Sequence, residues 1–346
     1  MNISRLLSVA PMMERTDRHC RYFFRLLSQQ TLLYSEMINA NAITKGNKTR
    51  LLNFSEIEHP LALQIGGSDP KLLAEATKIG VDWGYDEINL NVGCPSSRVS
   101  SGDFGAVLMK RKDHVAKCVD AMAQFSSNVP ISVKCRIAVD DQDPEKILPS
   151  FIKTVSNSGV SIFIIHARKA ILSGLSPKDN RKIPPIDYNL VKKIKTQFPQ
   201  LEICLNGEIK DLSTVMNFIN DGINGCMIGR EVYKNPSKIL ENADEKIFKK
   251  MDLSGKSKKR TLYGALLKMI PYLESHLQKG GKASSVLRHL INSVSGLEGA
   301  KLFRSTLSEN MNKKNQPEIF EKALKLVNFT DKKTDVEGTQ FESGLV

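Results

Sequence analysis

The chain has 346 residues, of which 41% are hydrophobic and 25% charged, values that are typical of a globular protein rather than a disordered or fibrous one. No apolar run approaches the roughly 20 residues that a membrane-spanning helix needs, so we expect no membrane span. The net charge of +13 is unevenly distributed, because residues 246–304 contain thirteen Lys and Arg against three acidic residues. This basic segment favours a polyanionic partner, although a solvated lysine-rich face is the alternative interpretation.

The cysteines give no sign of a metal site or of disulfide bonds. Six of them stand at positions 20, 94, 118, 135, 204 and 226, without a Cys-x-x-Cys pair. We therefore expect reduced thiols and no bound metal ion. The first residues do not have the pattern of a signal peptide, from which we expect a cytoplasmic protein.

Short runs of strand-forming residues alternate with helical patterns over the first two thirds of the chain. Most of these runs are continuously apolar, as expected for strands that are buried on both faces of a parallel sheet. The eight predicted strands are Leu6–Ala10, Leu32–Met37, Leu61–Ile65, Glu87–Asn91, Ile131–Lys134, Ser161–His166, Glu202–Asn206 and Gly225–Gly229. Amphipathic helices are predicted between them at Asp69–Ile79, Lys112–Phe125, Asp143–Asn157, Tyr188–Phe198 and Ser213–Asp221.

Eight β–α repeats predict an α/β fold of the TIM (β/α)8 barrel type. A doubly wound nucleotide-binding sheet would need a glycine-rich loop after the first strand, where Pro11-Met12-Met13 stands instead. After Asn235-Pro236 the chain becomes lysine-rich, and apolar residues recur at helical spacing, as in Leu262, Leu266 and Met269. We predict a barrel domain over 1–240, a small C-terminal helical domain over 241–330, and a disordered tail over 331–346.

Polar and glycine residues follow almost every predicted strand. In a TIM barrel these positions meet at one face, where the chemistry takes place. They include Gln64, Asn91, Cys94, Lys134, Arg136, His166, Arg168, Asn206, Gly207, Glu208, Gly229 and Arg230. A single residue of this kind is often structural, but six such strand ends together predict a site. The loops after strands seven and eight, with their glycines and Arg230, predict a bound phosphate. The residues alone therefore indicate a flavin- or phosphate-binding barrel with a polyanionic partner.

The fourth predicted strand ends in a distinctive sequence. Glu87–Asn91 continues into Gly93-Cys94-Pro95, and Gly102-Asp103-Phe104-Gly105 follows. A thiol between Gly and Pro at a strand end is typical of a loop that carries chemistry, although a buried structural cysteine is the alternative. This stretch resembles the active-site signature of flavin-dependent tRNA-dihydrouridine synthases.

Other segments are similar to the DusA-type branch of that family, which modifies uridines 20 and 20a of the tRNA D-loop. They are Leu7–Asp17, Leu63–Pro70, His166–Ala170, Gly174–Lys178, Arg288-His289 and Gly299–Lys301. The resemblance implies an FMN enzyme that reduces these uridines to 5,6-dihydrouridine with NADPH. It makes Cys94 the general acid that protonates C5 of the uracil, once the base has left the tRNA loop.

The resemblance also implies which residues bind. FMN contacts fall on Pro11, Met12, Met13, Gln64, Lys134, His166, Asn206, Gly207, Glu208, Gly229 and Arg230. Contacts with tRNA fall on Asn91, Lys178, Arg181, Lys301 and Arg304. Lys134 would place a positive charge at the electron-rich end of the flavin ring. We expect a monomer with tRNA as its partner.

Three positions depart from the family pattern. Glu208 stands where Gly is usual, and its carboxylate would be unfavourable near a phosphate unless it points away. Asp103 stands where a basic residue is common, and Lys301 where Arg is usual.

Other functions share parts of this pattern. A flavin barrel acting on a free pyrimidine or another small molecule would have the same strand ends, but would have no use for the basic segment. A tRNA-binding protein without catalysis would not need Cys94, Lys134 and His166. A phosphate-binding barrel without flavin would be colourless when purified.

Overall fold

The computed structural model describes residues 3–249, 260–310 and 315–329. These residues form two compact units. The first comprises the chain up to Arg21 together with Gln30–Gly229, and the second comprises Tyr22–Gln29 together with the described residues from Arg230 onwards. The predicted domain boundary at residue 240 stays a prediction, and the predicted tail over 331–346 lies outside the described residues.

The first unit is built on a closed barrel of eight parallel strands in the order β1 to β8, with β8 pairing back onto β1. This confirms the predicted TIM barrel, and each predicted run corresponds to a strand. The strands are β1 Leu7–Val9, β2 Leu32–Asn39, β3 Leu61–Gly66, β4 Glu87–Val92, β5 Ile131–Arg136, β6 Ile162–His166, β7 Glu202–Asn206 and β8 Gly225–Ile228. The barrel closes tightly at Gly225, where a Cβ atom would lie 1.8 Å from the carbonyl oxygen of Arg5.

Helices follow the strands as the βα pattern requires, and all five predicted helices are confirmed within a few residues at each end. The helices of the first part of the chain are α1 Arg18–Leu27, α2 Ala40–Lys45, α3 Lys48–Leu52, α4 Pro70–Asp82, α5 Ser97–Ser101, α6 Lys112–Ala123, α7 Pro144–Ser156, α8 Tyr188–Gln197 and α9 Leu212–Asn220. Short 3-10 helices occupy Glu56–Glu58, Gly105–Lys110 and Asp179–Arg181. The short helices α2 and α3 were not expected from the sequence.

Aspartate side chains fix the starts of several helices. Asp69 Oδ1 accepts hydrogen bonds from the N–H groups of Lys71 (2.8 Å) and Leu72 (3.2 Å), and Pro70 occupies the first turn of α4. Asp143 and Pro144 repeat this arrangement at α7. Since the first N–H groups of a helix have no partner within the helix, these carboxylates satisfy them.

The interior of the barrel is apolar on one side and polar on the other. Its apolar residues include Leu32, Ala62, Ile164 and Met227, which are all buried. Strand β4 instead turns three polar residues inward in alternation, Glu87, Asn89 and Asn91. The apolar residues between them face the surrounding helices, so the sequence of β4 alternates between polar and apolar residues, whereas strands such as β6 are almost continuously apolar.

The described part of the second unit is helical, as predicted. Its helices are α10 Arg230–Lys234, α11 Pro236–Leu240, α12 Ala243–Lys246, α13 Leu262–Gln278, α14 Ala283–Leu290, α15 Ala300–Asn310 and α16 Gln316–Lys325. Phe303 of α15 and Phe320 of α16 are fully buried, with ring centroids 6.3 Å apart. Tyr22 and Tyr272 stack at 4.1 Å. Among the described residues of the chain, no helix has both the length and the apolar character needed to cross a bilayer.

We expect the substitution Asp69→Ala to lower the free energy of unfolding by about 1 kcal/mol, because it removes the N-cap of α4. The measurement is urea denaturation followed by circular dichroism. Asp82→Ala is the matched control at the other end of the same helix, where the exposed Lys78–Asp82 ion pair contributes at most a few tenths of that. Equal losses for the two variants would contradict the cap's role.

Candidate active site

The carboxyl ends of the barrel strands bring most of the predicted site residues together. Cross-strand register places Lys134 beside Asn91, His166 beside Arg136 and Asn206, and Asn206 beside Met227. Gln64 of β3 completes this layer by its hydrogen bond to Asn91. The layer forms the floor of the barrel mouth, and the loops that follow the strands surround it.

Cys94 differs from the other thiols of the chain in its exposure. All six cysteines lie within the described residues; five are buried, and Cys94 is partly exposed. Burial raises the pKa of Cys135, Cys118 and Cys226 to about 12, so these three thiols are neutral. Cys94 is therefore the thiol that a ligand in the barrel mouth can reach.

Asn91 holds the loop that carries this thiol. Its Oδ1 accepts hydrogen bonds from the N–H groups of Gly93 (3.1 Å) and Cys94 (3.0 Å), and its Nδ2 donates to Gln64 Oε1 at 2.8 Å. An asparagine side chain that caps its own following backbone in this way forces a turn directly after the strand. The turn fixes the position of the Cys94 backbone.

The glycine-rich segment packs against the other side of the same loop. Ala106 N–H donates to the Cys94 carbonyl oxygen at 2.9 Å. A Cβ atom on Gly105 would lie 2.7 Å from that oxygen and 2.5 Å from Val99 Cγ1, and its φ of +76° also favours glycine. Glycine is therefore required at position 105 for this segment to pack against the Cys94 loop.

Arg136 ties the Cys94 loop to the loop after β6. Its guanidinium donates to the carbonyl oxygens of Gly93, Lys169 and Asn180, each at 3.1 Å. Burial lowers the pKa of Arg136 to about 10. Arg136 was expected at a strand end, but no role was predicted for it. Its three acceptors are backbone carbonyl groups of two distant loops, and a sequence pattern does not reveal such contacts.

Lys134 brings a positive charge into the barrel mouth. Its Nζ donates to Asn206 Oδ1 at 3.1 Å, and Asn206 Nδ2 donates to the Met227 carbonyl oxygen at 2.8 Å. Burial, and then the nearby charge of Arg136, lowers the pKa of Lys134 to about 8. The ammonium is thus charged at neutral pH. Its hydrogen-bond partner here is the neutral amide of Asn206 and not a carboxylate, which suits an anionic ligand.

The loops after β7 and β8 approach the mouth with little room for side chains. A Cβ atom on Gly207 would lie 3.0 Å from His166 Cδ2, and one on Gly229 would lie 3.2 Å from Ala10 Cβ and 3.4 Å from Met12 Sδ. Gly207 has a φ of +127°, and its carbonyl oxygen accepts from Tyr188 OH at 2.7 Å. Protein side chains therefore pack directly against the backbone at both positions, which only glycine allows without displacing them.

A carboxylate at position 208 would be unfavourable near a phosphate, but the Glu208 side chain has a cationic partner of its own. Its carboxylate forms an ion pair with the buried guanidinium of Arg168, with 2.7 Å between Oε2 and NH2. Its φ of +50° lies in the left-handed region that glycine adopts without strain. Asp103, the second departure, has a φ of +59° and pairs with Arg111 at 2.5 Å.

The residues predicted to contact RNA occupy three places. Asn91 lies on the floor of the barrel mouth, so only a group that enters the mouth can reach it. Lys178 is exposed and Arg181 half-buried, both in the loop between β6 and α8. In the second unit, Lys301 is exposed and Arg304 half-buried, one turn apart on α15.

Three predicted flavin contacts follow β1. Pro11 and Met12 are half-buried, and Met13 is exposed. Among the described residues, no group of three or more His, Cys, Asp or Glu is arranged to hold a metal ion.

Comparison with known proteins identifies close relatives over nearly the whole chain. The family model described as "Dihydrouridine synthase (Dus)" matches residues 8–330. A protein of Synechocystis named tRNA-dihydrouridine(20/20a) synthase is 47% identical over 324 residues, which cover 93% of this chain and 95% of the relative. A protein of Escherichia coli K12 with the same name is 49% identical over 322 residues, covering 92% and 91%.

Solved structures share the fold at low sequence identity. An old yellow enzyme homologue from Zymomonas mobilis has a TM-score of 0.52 and 11% identity, covering 73% of this chain and 95% of its own. A morphinone reductase has a TM-score of 0.51 and 11% identity, covering 75% and 91%. At this identity the likeness shows the barrel fold alone.

We expect Lys134 of the ligand-free protein to titrate at about pH 8. An anion bound beside it stabilises the ammonium, so ligand binding should move this transition to higher pH. The measurement is an NMR titration of protein labelled at lysine Cε. The transition should vanish in Lys134→Met and persist in Lys117→Met, which removes an exposed lysine of α6. Its persistence in Lys134→Met would refute the assignment.

Proposed function

The chain belongs to the dihydrouridine synthase family, and from this premise we propose that it reduces uridines 20 and 20a in the D-loop of tRNA to 5,6-dihydrouridine. The match over residues 8–330 and the names of relatives that are 47% and 49% identical support this proposal. We further propose that FMN is the bound flavin and NADPH the reductant. Such an enzyme acts where tRNA is, in the cytoplasm.

The observation that carries the proposal is the partly exposed thiol of Cys94 just beyond β4, on a loop that Asn91 holds and within the electrostatic influence of the Lys134 ammonium. Reduction of the C5–C6 bond of uracil adds a hydride to C6 and a proton to C5. A neutral thiol is a suitable proton source for C5, since it can donate within hydrogen-bond reach and later regain a proton from water. A barrel that bound only a phosphate would not need this thiol.

The residues present fit an FMN molecule. The loops after β7 and β8 offer backbone N–H groups at the carboxyl end of the barrel, and with the guanidinium of Arg230 directly after Gly229 they suit the phosphate. Lys134 suits the electron-rich end of the ring, since an uncompensated cation in a buried setting stabilises negative charge. Gln64, His166 and Asn206 lie near the carboxyl ends of their strands, Glu208 follows β7, and Pro11, Met12 and Met13 follow β1, which is the barrel face where a cofactor binds. When bound, FMN supplies the hydride that C6 receives.

The protein's own groups then have three tasks. Cys94 donates the proton to C5. Asn91, on the floor of the mouth, has one amide N–H left for the incoming base after its bond to Gln64. The target uracil has to leave the tRNA loop to reach these groups, because Asn91 is buried at the end of β4.

We propose that the tRNA body is held by phosphate contacts outside the mouth. Lys178 and Arg181 lie on the loop after β6, and Lys301 with Arg304 forms a basic pair on α15. The basic segment over 246–304, of which residues 250–259 lie outside the described residues, favours the same partner. Lys301 retains the positive charge of the Arg that is usual there, but as a single ammonium without a bidentate fork.

Replacing Cys94 by Ala should lower the single-turnover rate of uridine reduction by roughly 10²–10⁴-fold, the usual effect of losing a general acid. Flavin content and tRNA affinity should be unchanged, because the thiol holds neither. The measurement uses purified holoenzyme reduced with NADPH and mixed with unmodified tRNA, followed by flavin absorbance and by nucleoside mass spectrometry.

Cys118→Ala is the matched control, since it removes a buried thiol of α6 that lies outside the mouth. Full activity of Cys94→Ala would show that another group protonates C5. A flavin that is oxidised by a free pyrimidine but not by tRNA would favour the small-molecule enzyme instead.

A further inference from the structure

A continuous chain of hydrogen bonds runs through the barrel interior, from the amino end of β4 to the thiol loop. Glu87 Oε1 accepts from Ser132 Oγ, and Ser132 Oγ accepts from Asn89 Nδ2 at 2.7 Å. Asn89 Oδ1 accepts from Gln64 Nε2 at 2.7 Å. The chain then continues through Gln64 Oε1 to Asn91, whose Oδ1 holds the Gly93 and Cys94 N–H groups. Its side chains all lie on β3, β4 and β5.

At the amino end of β4, this chain of hydrogen bonds begins at a buried carboxylate with charged and hydroxyl partners. Glu87 is fully buried and pairs with Arg5 Nε at 2.7 Å. Tyr34 OH donates to its Oε1 at 2.5 Å. Burial, and then the negative charge of Glu87, raises the pKa of Tyr34 well above its ordinary value, so this hydroxyl keeps its proton. A carboxylate in such surroundings only accepts hydrogen bonds.

This acceptor determines the direction of every bond above it. Ser132 has to donate its single proton to Glu87, so it accepts from Asn89 through the NH2 end of that amide. Asn89 then turns its oxygen to Gln64, Gln64 turns its oxygen to Asn91, and Asn91 turns its oxygen to the Cys94 loop. In the opposite direction the NH2 end of Asn91 would face two backbone N–H groups, donor against donor.

We propose that Glu87 is a positioning residue for Cys94, acting through Ser132, Asn89 and Gln64 on the orientation of the Asn91 amide. In the same chain of hydrogen bonds, Gln64 Oε1 accepts one N–H of the Asn91 amide, so Asn91 keeps its second N–H for a ligand in the barrel mouth. The link to catalysis rests on the proposed function, in which Cys94 is the proton donor. The chain itself is a property of the described contacts.

The first test interrupts the chain of hydrogen bonds with Ser132→Ala, which removes the hydroxyl group that joins Glu87 to Asn89. We expect kcat for tRNA reduction to fall roughly ten-fold, the size expected for one buried hydrogen bond, while the KM for tRNA and the flavin content stay unchanged. Alkylation of Cys94 by iodoacetamide in the holoenzyme without tRNA should become several-fold faster, because its loop is released. Ser8→Ala is the matched control, a buried serine inside the barrel on β1 that takes no part in the chain.

The second test changes the carboxylate at the start of the chain. Glu87→Gln should reproduce the effects of Ser132→Ala, whereas Glu202→Gln should not. Glu202 is the other carboxylate on Arg5, at 3.1 Å, and it lies outside the chain. Where Glu87→Gln fails to fold, the comparison of Ser132→Ala with Ser8→Ala decides.

Unchanged kcat and unchanged alkylation in Ser132→Ala would overturn the proposal, as would equal effects in the two carboxylate variants. The alkylation rate does not depend on the substrate. Failure of the wild-type enzyme to reduce tRNA would therefore refute the proposed function, while the alkylation comparison would still support or overturn the positioning role of Glu87.

Discussion

Burial of the Glu87 carboxylate is the constraint on which the interior of this barrel depends. A charge inside a closed sheet needs a counter-ion and hydrogen-bond donors on all sides, and Arg5, Tyr34 and Ser132 supply them. One side of the barrel is therefore polar from bottom to top. The polar column ends at the carboxyl end of β4, where the Asn91 amide holds the Cys94 loop, so the core and the candidate active site form one hydrogen-bonded structure.

The strands and their order could be predicted from the sequence, because continuous apolar runs and the polar residues after them are local signals. Lys134, His166 and Asn206 were expected in one layer for the simple reason that parallel strands end at the same face. The structure brings them together there, since His166 pairs with Asn206 across the sheet and Lys134 Nζ donates to Asn206 Oδ1. The short helices α2 and α3 were missed, because a five- or six-residue helix has too few turns to produce a periodic pattern.

Contacts between distant segments could not be predicted in the same way. Asn89 reads as one polar residue within a strand, and nothing local shows that it joins Ser132 to Gln64. Asn91 was assigned to RNA by resemblance, whereas its observed bonds are to Gln64 and to its own loop. Glu208 raised a doubt that only the position of Arg168, forty residues earlier in the chain, could resolve.

We propose that this protein makes the dihydrouridine at positions 20 and 20a of tRNA. The most direct test is position-resolved nucleoside mass spectrometry of total tRNA from a strain that lacks the gene. We predict loss of dihydrouridine at these two positions, restored by the wild-type gene and not by Cys94→Ala. Unchanged dihydrouridine at both positions, in a strain without a redundant enzyme, would contradict the account and favour a small-molecule flavin oxidoreductase.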